Sequence, residues 1–163
     1  MSIRFHQRSQ HVPLFSVIRP AKKRARSMGS LQSKLDNWQP SALSLLRFIA
    51  GLLFLQHGLV KIFSFPGPFM KPVQTGELIW FSGGIEIIGG ALLTIGLFSR
   101  CAALVCSGNM AFAYFIGHAA KSFYPILNGG NLAILYCFVF FYIFVAGPGP
   151  WSLDAMRRNK PAA

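Results

Sequence analysis

The sequence predicts an all-α fold, a transmembrane four-helix bundle with a disordered N-terminal tail. Hydrophobic residues make up 53% of the 163-residue chain and charged residues only 12%, and the mean hydropathy is +0.46. Four apolar segments each approach the ~20 residues needed to cross the hydrocarbon core of a bilayer. This composition argues against a water-soluble globular domain.

Most of the positive charge lies outside the apolar segments. Sixteen Lys and Arg residues face four acids, and eight of these basic residues precede residue 41. Residues 1–40 lack the apolar core of a secretory signal and are predicted to be a basic, disordered cytoplasmic tail. Residues 41–150 are the predicted membrane domain, and 151–163 a short basic cytoplasmic tail. The tails lack interleaved aromatic residues, so no nucleic-acid partner is predicted.

The first predicted span, residues 42–65, carries Arg47, His57 and Lys61. At about 100° per residue these basic groups fall on one stripe of the helix, opposite a face of Leu, Ile, Val and Phe. Charged groups at membrane depth normally face the interior of a bundle. The stripe is therefore predicted to point inward.

The second predicted span, residues 78–98, contains Glu86, the only carboxylate deep in a predicted span. A buried carboxylate needs a cation to stay ionised, and the sequence predicts that Arg47 or Lys61 faces it. Nearby glycines allow a neighbouring helix to approach closely. These glycines are Gly83, Gly89 and Gly90. Two readings stay open: a structural polar contact between the first two helices, or a site for a substrate, a quinone or a proton.

The third predicted span, residues 101–120, follows a break of little more than Ser99 and Arg100, which predicts a helical hairpin. Asn109 and His118 lie nine residues apart, on nearly opposite faces of a straight helix, whereas Tyr114 and His118 share a face. Asn109 and His118 are both candidates for the polar core, and they are predicted to face different neighbouring helices.

No metal or dithiol site is predicted. His57 and His118 come from different helices but have no carboxylate or thiolate neighbour in the sequence pattern. The three cysteines lie in apolar runs without a CxxC pair, which is typical of small buried hydrophobic residues. They are Cys101, Cys106 and Cys137.

The fourth predicted span, residues 127–146, opens with the helix-start motif Asn128, Gly129, Gly130 and Asn131. Asn128 is the predicted helix cap, the glycine pair lets the backbone turn, and Asn131 then occupies the third helical position.

The basic loop residues predict the orientation. Both tails and Arg100 fall on one side of the membrane, and Lys71 and Lys121 on the other. The excess of basic residues marks the cytoplasmic side, so the chain is predicted to be multi-pass with both termini cytoplasmic.

Five motifs together resemble the DoxX family over about residues 43–155. They are RFxxGxxFxxHGxxKxF from Arg47, ExxGGxLLxxGLxxR from Glu86, SGNMAxAYFxxH from Ser107, PxxNGG from Pro125 and GPGPWSLD from Gly147. The resemblance implies a four-helix protein of the cell inner membrane. Family members commonly carry acids at the positions of Asn109 and Asn131, so any function that needs a second membrane carboxylate is in doubt here.

The resemblance also implies a function, because the family is named for a subunit of a thiosulfate:quinone oxidoreductase. It implies a subunit of a quinone- or thiosulfate-linked redox complex, with membrane lipid and redox proteins as partners. No haem, flavin or iron–sulfur motif is visible, so a redox cofactor would be borrowed, and quinone is the candidate ligand. Catalytic activity and catalytic residues are left unassigned. The alternatives are a module that binds or passes a small anion or a proton, and a structural subunit; glycine-rich faces also permit homo-oligomers.

Overall fold

The computed structural model describes residues 20–67 and 73–158, with side chains described from residue 31. The helices are α1 (Pro20–Phe63), α2 (Leu78–Ile95), α3 (Ser99–Phe112), α4 (Pro125–Asn128), α5 (Asn131–Ala146) and α6 (Leu153–Arg158). A π-helical segment, Ala113–His118, continues α3. The described ranges contain no β-strand. The all-α prediction is confirmed.

Three described helical stretches are long and apolar enough to cross a membrane: Leu31–Phe63, Leu78–Ile95 and Ser99–His118. The fourth apolar helix, α5, has 16 residues. The connection between α2 and α3 is short, and Gly96 ends α2 in the left-handed conformation with φ of 73°. The predicted hairpin therefore forms with a turn of only a few residues.

The chain divides into two units, Met1–Trp38 and Gln39–Ala163. Helix α1 begins at Pro20, inside the N-terminal segment for which the sequence predicts disorder. Within the first unit the segment from Leu31 to Trp38 is exposed, and Gln32 Nε2 donates to Asp36 Oδ1 at 3.4 Å. Such contacts one turn apart stabilise helices without a buried core. The predicted disorder of residues 1–19 lies outside the described residues.

The core of the second unit joins all four apolar helices. Phe54 of α1, Leu93 of α2, Ala103 of α3 and Phe140 of α5 are buried. The rings of Phe54 and Phe140 meet edge to face at 4.7 Å between centroids. Cys106 is buried and Cys137 half-buried, but Cys101 is exposed, so the prediction of a buried thiol is wrong there. Many large apolar side chains point outward, as expected of helices surrounded by lipid.

Glycines bring α1 and α2 into close contact, as the sequence predicted. A Cβ added to Gly58 would lie 2.7 Å from the carbonyl oxygen of Gly83, and one added to Gly90 would lie 2.6 Å from the amide nitrogen of Leu55. These distances are too short for real side chains. The two backbones touch at successive glycines along the seam.

We use the name arginine end for the end of the bundle formed by the α2–α3 turn, the end of α5 and α6. Asp154 of α6 accepts hydrogen bonds from the amides of Phe98 (2.9 Å) and Ser99 (2.8 Å), at the start of α3. Burial alone would raise the pKa of Asp154, but these amide bonds and the charge of Arg158 hold its pKa below the usual value. A carboxylate here also complements the helix dipole.

A positively charged side chain, Arg100, lies at the C-terminal end of α5. Arg100 Nη1 donates to the carbonyl oxygens of Phe144 (2.6 Å) and Val145 (2.8 Å), in the last turn of α5. Gly147 follows with φ of 97°, and a Cβ there would lie 2.9 Å from Arg100 Nη2. The C-terminal carbonyls of α5 thus receive a cation, which the helix dipole favours.

The predicted start of the fourth span is partly wrong. Gly130 occupies the N-cap position of α5 without a side-chain cap, and Asn131 is the first helical residue rather than the third. Asn128 instead accepts a hydrogen bond from the amide of Gly130 (2.7 Å) through Oδ1, and its Nδ2 donates to Ser122 O (2.9 Å). Gly129 has φ of 73°, so the predicted glycine turn is present. Asn128 therefore orders the loop before the helix and does not cap it.

Candidate functional site

Lys61 and Glu86 form an ion pair between α1 and α2. Lys61 Nζ lies 2.5 Å from Glu86 Oε1. The Glu86 side chain is 1% exposed and the Lys61 side chain 19% exposed. Glu86 sits about two turns into α2, within the apolar part of the span. This ion pair is one of the two that the sequence predicted for Glu86.

Close packing makes the ion pair possible. Gly83 lies one turn before Glu86 on α2, and a Cβ there would come 3.3 Å from Lys61 Cβ and 3.0 Å from Ile62 Cγ1. Because Gly83 has no side chain, the last turn of α1 approaches α2 closely enough for Lys61 to reach inward. The lysine stem packs along apolar residues while its ammonium group meets the carboxylate.

Two further polar side chains extend the pair to α3. Ser82 Oγ donates to Glu86 Oε1 at 3.3 Å, and Asn109 Nδ2 donates to Ser82 Oγ at 3.2 Å. We call Lys61, Ser82, Glu86 and Asn109 the Glu86 cluster. The sequence reasoning missed Ser82, although a serine four residues before a buried glutamate shares its helix face. The cluster links three helices through polar contacts.

One carboxylate oxygen of Glu86 has no hydrogen-bond partner among the described residues. Oε2 is buried and accepts no hydrogen bond from any residue in the described ranges. A buried acceptor without a donor costs ~1–3 kcal/mol, and more if charged. A donor is therefore expected at Oε2, either a water molecule or the hydroxyl or amine of a ligand.

Arg47 does not belong to this cluster: of the two cations predicted as alternatives for Glu86, Lys61 forms the ion pair and Arg47 does not. Within the described ranges, the guanidinium group of Arg47, 1% exposed, donates to backbone carbonyl oxygens and to no other acceptor. These belong to Pro148 (2.8 Å from Nε), Leu93, Thr94 (3.0 Å) and Trp151 (2.5 Å). The end of α2 leaves carbonyls without intrahelical donors, and its dipole attracts a cation. Arg47 thus joins α1, the end of α2 and the loop after α5.

His57 does not point inward as predicted. Its side chain is exposed, and Nδ1 lies 2.8 Å from Leu53 O of the preceding turn. The ring also contacts Tyr136 of α5 edge to face, with centroids 5.9 Å apart. On the helical wheel His57 is at the border of the basic stripe, so a small rotation of α1 moves it out of the interior.

His118 and Asn109 have different neighbours, as their spacing predicted. His118 Nδ1 lies 2.9 Å from Asn128 O, in the loop before α5. Tyr114 shares that side, because a Cβ on Gly130 would lie 2.7 Å from the Tyr114 ring. Across the described residues, no group of three His, Cys, Asp or Glu side chains is arranged to hold a metal ion. His118 orders the loop rather than adding to the Glu86 cluster.

Comparison with known proteins identifies a family and two relatives. The DoxX family model matches residues 42–119. A protein of Haemophilus influenzae described as uncharacterized is 38% identical over 127 residues, covering 75% of this chain and 95% of that protein. The uncharacterized membrane protein Rv3486 of Mycobacterium tuberculosis is 25% identical over 149 residues, covering 76% of this chain and 86% of that protein. No solved structure matches the chain.

Proposed function

The chain belongs to the DoxX family of integral membrane proteins, and from this premise we propose that it is the membrane subunit of a redox assembly that binds a quinone at the Glu86 cluster. The observation that carries the proposal is the buried, unpartnered Oε2 of Glu86 beside Lys61. A quinone head group needs a donor for its carbonyl oxygens when oxidised and an acceptor for its hydroxyls when reduced. Lys61 and Glu86 supply both within one site.

The surroundings of the cluster suit a lipid-soluble ligand. Lys61 is partly exposed, so the polar site reaches the outer surface of α1 and α2. Apolar side chains cover the neighbouring outward faces, including Phe63 and Phe81. A quinone dissolved in the bilayer could therefore reach the cluster without crossing water. Small-molecule sites commonly combine apolar walls with a few placed polar groups.

The proposed role of each group follows from its chemistry. Reduction of a quinone takes up two electrons and two protons. Lys61 would donate a hydrogen bond to the quinone carbonyl that becomes a hydroxyl, Glu86 Oε2 would accept the hydrogen bond of that hydroxyl, and both protons would come from water. Asn109, through Ser82, fixes the orientation of the carboxyl group. The electrons would come from thiosulfate through a cofactor-bearing partner protein, because the sequence carries no recognisable electron-carrier motif.

The test of quinone binding compares two Glu→Gln variants in lipid nanodiscs. Binding of decylubiquinol is measured by quenching of tryptophan fluorescence. Glu86→Gln should weaken binding by about ten- to a hundredfold, the loss of one hydrogen bond to a charged group. Glu77→Gln is the matched control, because Glu77 is exposed at the N-cap of α2 and outside the cluster. Equal affinities in the two variants, at equal thermal stability, would refute the site.

The redox assembly is tested separately. The full chain is purified from native membranes with its neighbours, and the optical spectrum and thiosulfate-dependent quinone reduction are measured. We expect a coloured preparation with activity. A colourless preparation that lacks quinone and is inactive with thiosulfate would contradict the proposal.

A second candidate function is proton binding or permeation. The observation that favours it is the continuous polar path from Lys61 through Glu86 and Ser82 to Asn109. Liposomes with an internal pH-sensitive dye would report proton flux. Unchanged flux in Lys61→Met and Glu86→Gln would exclude this function. The small-anion alternative has less support, since Lys61 is neutralised by Glu86 and Arg47 by backbone carbonyls.

The proposed orientation keeps both termini in the cytoplasm and places the protein in the inner membrane. Arg100, Arg157 and Arg158 lie at the arginine end, whereas Lys121 lies at the other end of the bundle. Lys71 falls outside the described residues. Green fluorescent protein fused to the C-terminus should fluoresce, and an alkaline phosphatase fusion should be inactive. The reverse pattern would overturn the orientation.

A further inference from the structure

The arginine end contains a cleft of about 530 Å³ that the Glu86 cluster does not use. Gln39, Arg100, Tyr142 and Arg158 line it, together with the loop that follows α5. A second cleft of about 330 Å³ shares Arg100 and Arg158 and adds Arg157. The two clefts thus meet at a pair of guanidinium groups.

The charge in these clefts is not balanced. Three arginines line them, and Asp154 is the only acid among their described lining residues. Both oxygens of Asp154 already accept backbone amides of α3. Arg158 has no hydrogen-bonding partner in the described part of the chain. The clefts therefore present free guanidinium donors and excess positive charge, which favours an anion with several oxygens.

The position of the clefts at the ends of the apolar helices predicts that they lie at the level of the lipid head groups. They open where the apolar helices α2 and α5 end. Tyr142 and Trp151 are exposed at this end, and such aromatic residues concentrate at membrane–water interfaces. Phe138 and Val145 on the outer face of α5 are exposed as well. An apolar surface thus runs from the hydrocarbon region up to the basic cleft.

We propose that the larger cleft binds the phosphate group of an anionic phospholipid. Arg158 and the N–H groups of Arg100 that do not donate to α5 would hold the phosphate oxygens. The Tyr142 hydroxyl is available as a further donor. The acyl chains would lie along the exposed apolar face of α5. A free phosphate shares the head-group chemistry but cannot use this apolar surface, which is the reason for assigning a lipid.

The test is native mass spectrometry of the full chain released from micelles that contain phosphatidylglycerol and phosphatidylcholine in equal amounts. The wild-type protein should retain phosphatidylglycerol preferentially. Arg158→Gln should lower that retention about fivefold, the contribution of one basic residue near an anionic surface, and Arg158→Lys should restore most of it. Lys121→Gln, an exposed basic residue at the other end of the bundle, is the matched control and should behave as wild type.

Three results would overturn the proposal. Equal retention of the two lipids by the wild-type protein would show no selectivity for an anionic head group. Unchanged retention in Arg158→Gln, with the helical content intact, would place the lipid elsewhere. Complete displacement of phosphatidylglycerol by millimolar inorganic phosphate would show that a soluble phosphate, and not a lipid, occupies the cleft. Arg158 is exposed, so its replacement is expected to leave the fold unchanged.

Discussion

Replacing Arg47 by methionine would leave four backbone carbonyl oxygens without their donor inside the bundle. Arg47 is 1% exposed and holds α1, the end of α2 and the loop after α5 together through these carbonyls. Methionine has a similar length and packs well, so the change removes the charge and the donors while largely preserving the volume. The expected result is a less stable protein with an intact apolar core.

The magnitude follows from the number of bonds. A hydrogen bond to a charged donor contributes ~1.5–3 kcal/mol, so four would give ~6–12 kcal/mol if they were independent. The four hydrogen bonds share one side chain and lie near the ends of the membrane spans. Water can reach this level and bond to some of the freed carbonyl oxygens. We therefore expect about 3–5 kcal/mol, close to the loss on breaking a buried charge pair. Arg47→Lys keeps the positive charge and three of the donors, so it should lose less stability, about 1–3 kcal/mol.

The assay is unfolding by sodium dodecyl sulfate in mixed micelles, followed by circular dichroism, which yields the free energy of unfolding. Lys121→Met is the matched control, because Lys121 is exposed and has no described side-chain partner. Its free energy of unfolding should stay near the wild-type value. If Arg47→Met also stays within about 1 kcal/mol of wild type, the structural role assigned here to Arg47 is wrong.

Other perturbations test the remaining contacts. Lys61→Met should destabilise the protein by about 3–5 kcal/mol, because it leaves the buried carboxylate without its cation. Adding Glu86→Gln should recover part of this loss. Purely additive effects of the two substitutions in the same unfolding assay would contradict the coupling. Gly90→Ala should cost about 1–3 kcal/mol, because its Cβ would meet α1. Gly84→Ala, whose Cβ meets nothing within 4 Å, should be neutral or stabilising; equal melting temperatures of the two alanine variants would refute the close α1–α2 contact. The pKa of Asp154 is lowered in the folded protein, so its stabilising effect is present above the ordinary pKa of about 3.9 and lost as the pH falls below it. Thermal melts from pH 6 to pH 3 should show this loss in the wild-type protein and a smaller one in Asp154→Asn; identical profiles would exclude the capping role.

The four apolar helices could be predicted because a helix that crosses the bilayer must be apolar and long enough to span its hydrocarbon core. A cation beside Glu86 followed from the same physics, since a single buried carboxylate requires one, but the choice of Lys61 over Arg47 did not. The partner of Arg47 could not be predicted in this way. Backbone carbonyls at a helix end can also accept a guanidinium group, but they leave no mark in the sequence until the packing of the ends is known.

The other differences have local causes. His57 lies at the border of its stripe, where a small helix rotation decides between interior and surface. Asn128 bonds the amide two residues later, and this turn moves the start of α5 past the residue predicted as the cap position.

The 16 residues of α5 rise only ~24 Å, against a hydrocarbon thickness of ~30 Å. Because Arg100 holds one end of α5 and the turn at Gly129 fixes the other, the helix cannot lengthen to match its surroundings. The bilayer beside α5 must therefore thin locally. This hydrophobic mismatch would favour lipids with shorter acyl chains around the protein. It would also favour association of copies of the chain, because neighbouring copies share one region of thinned bilayer.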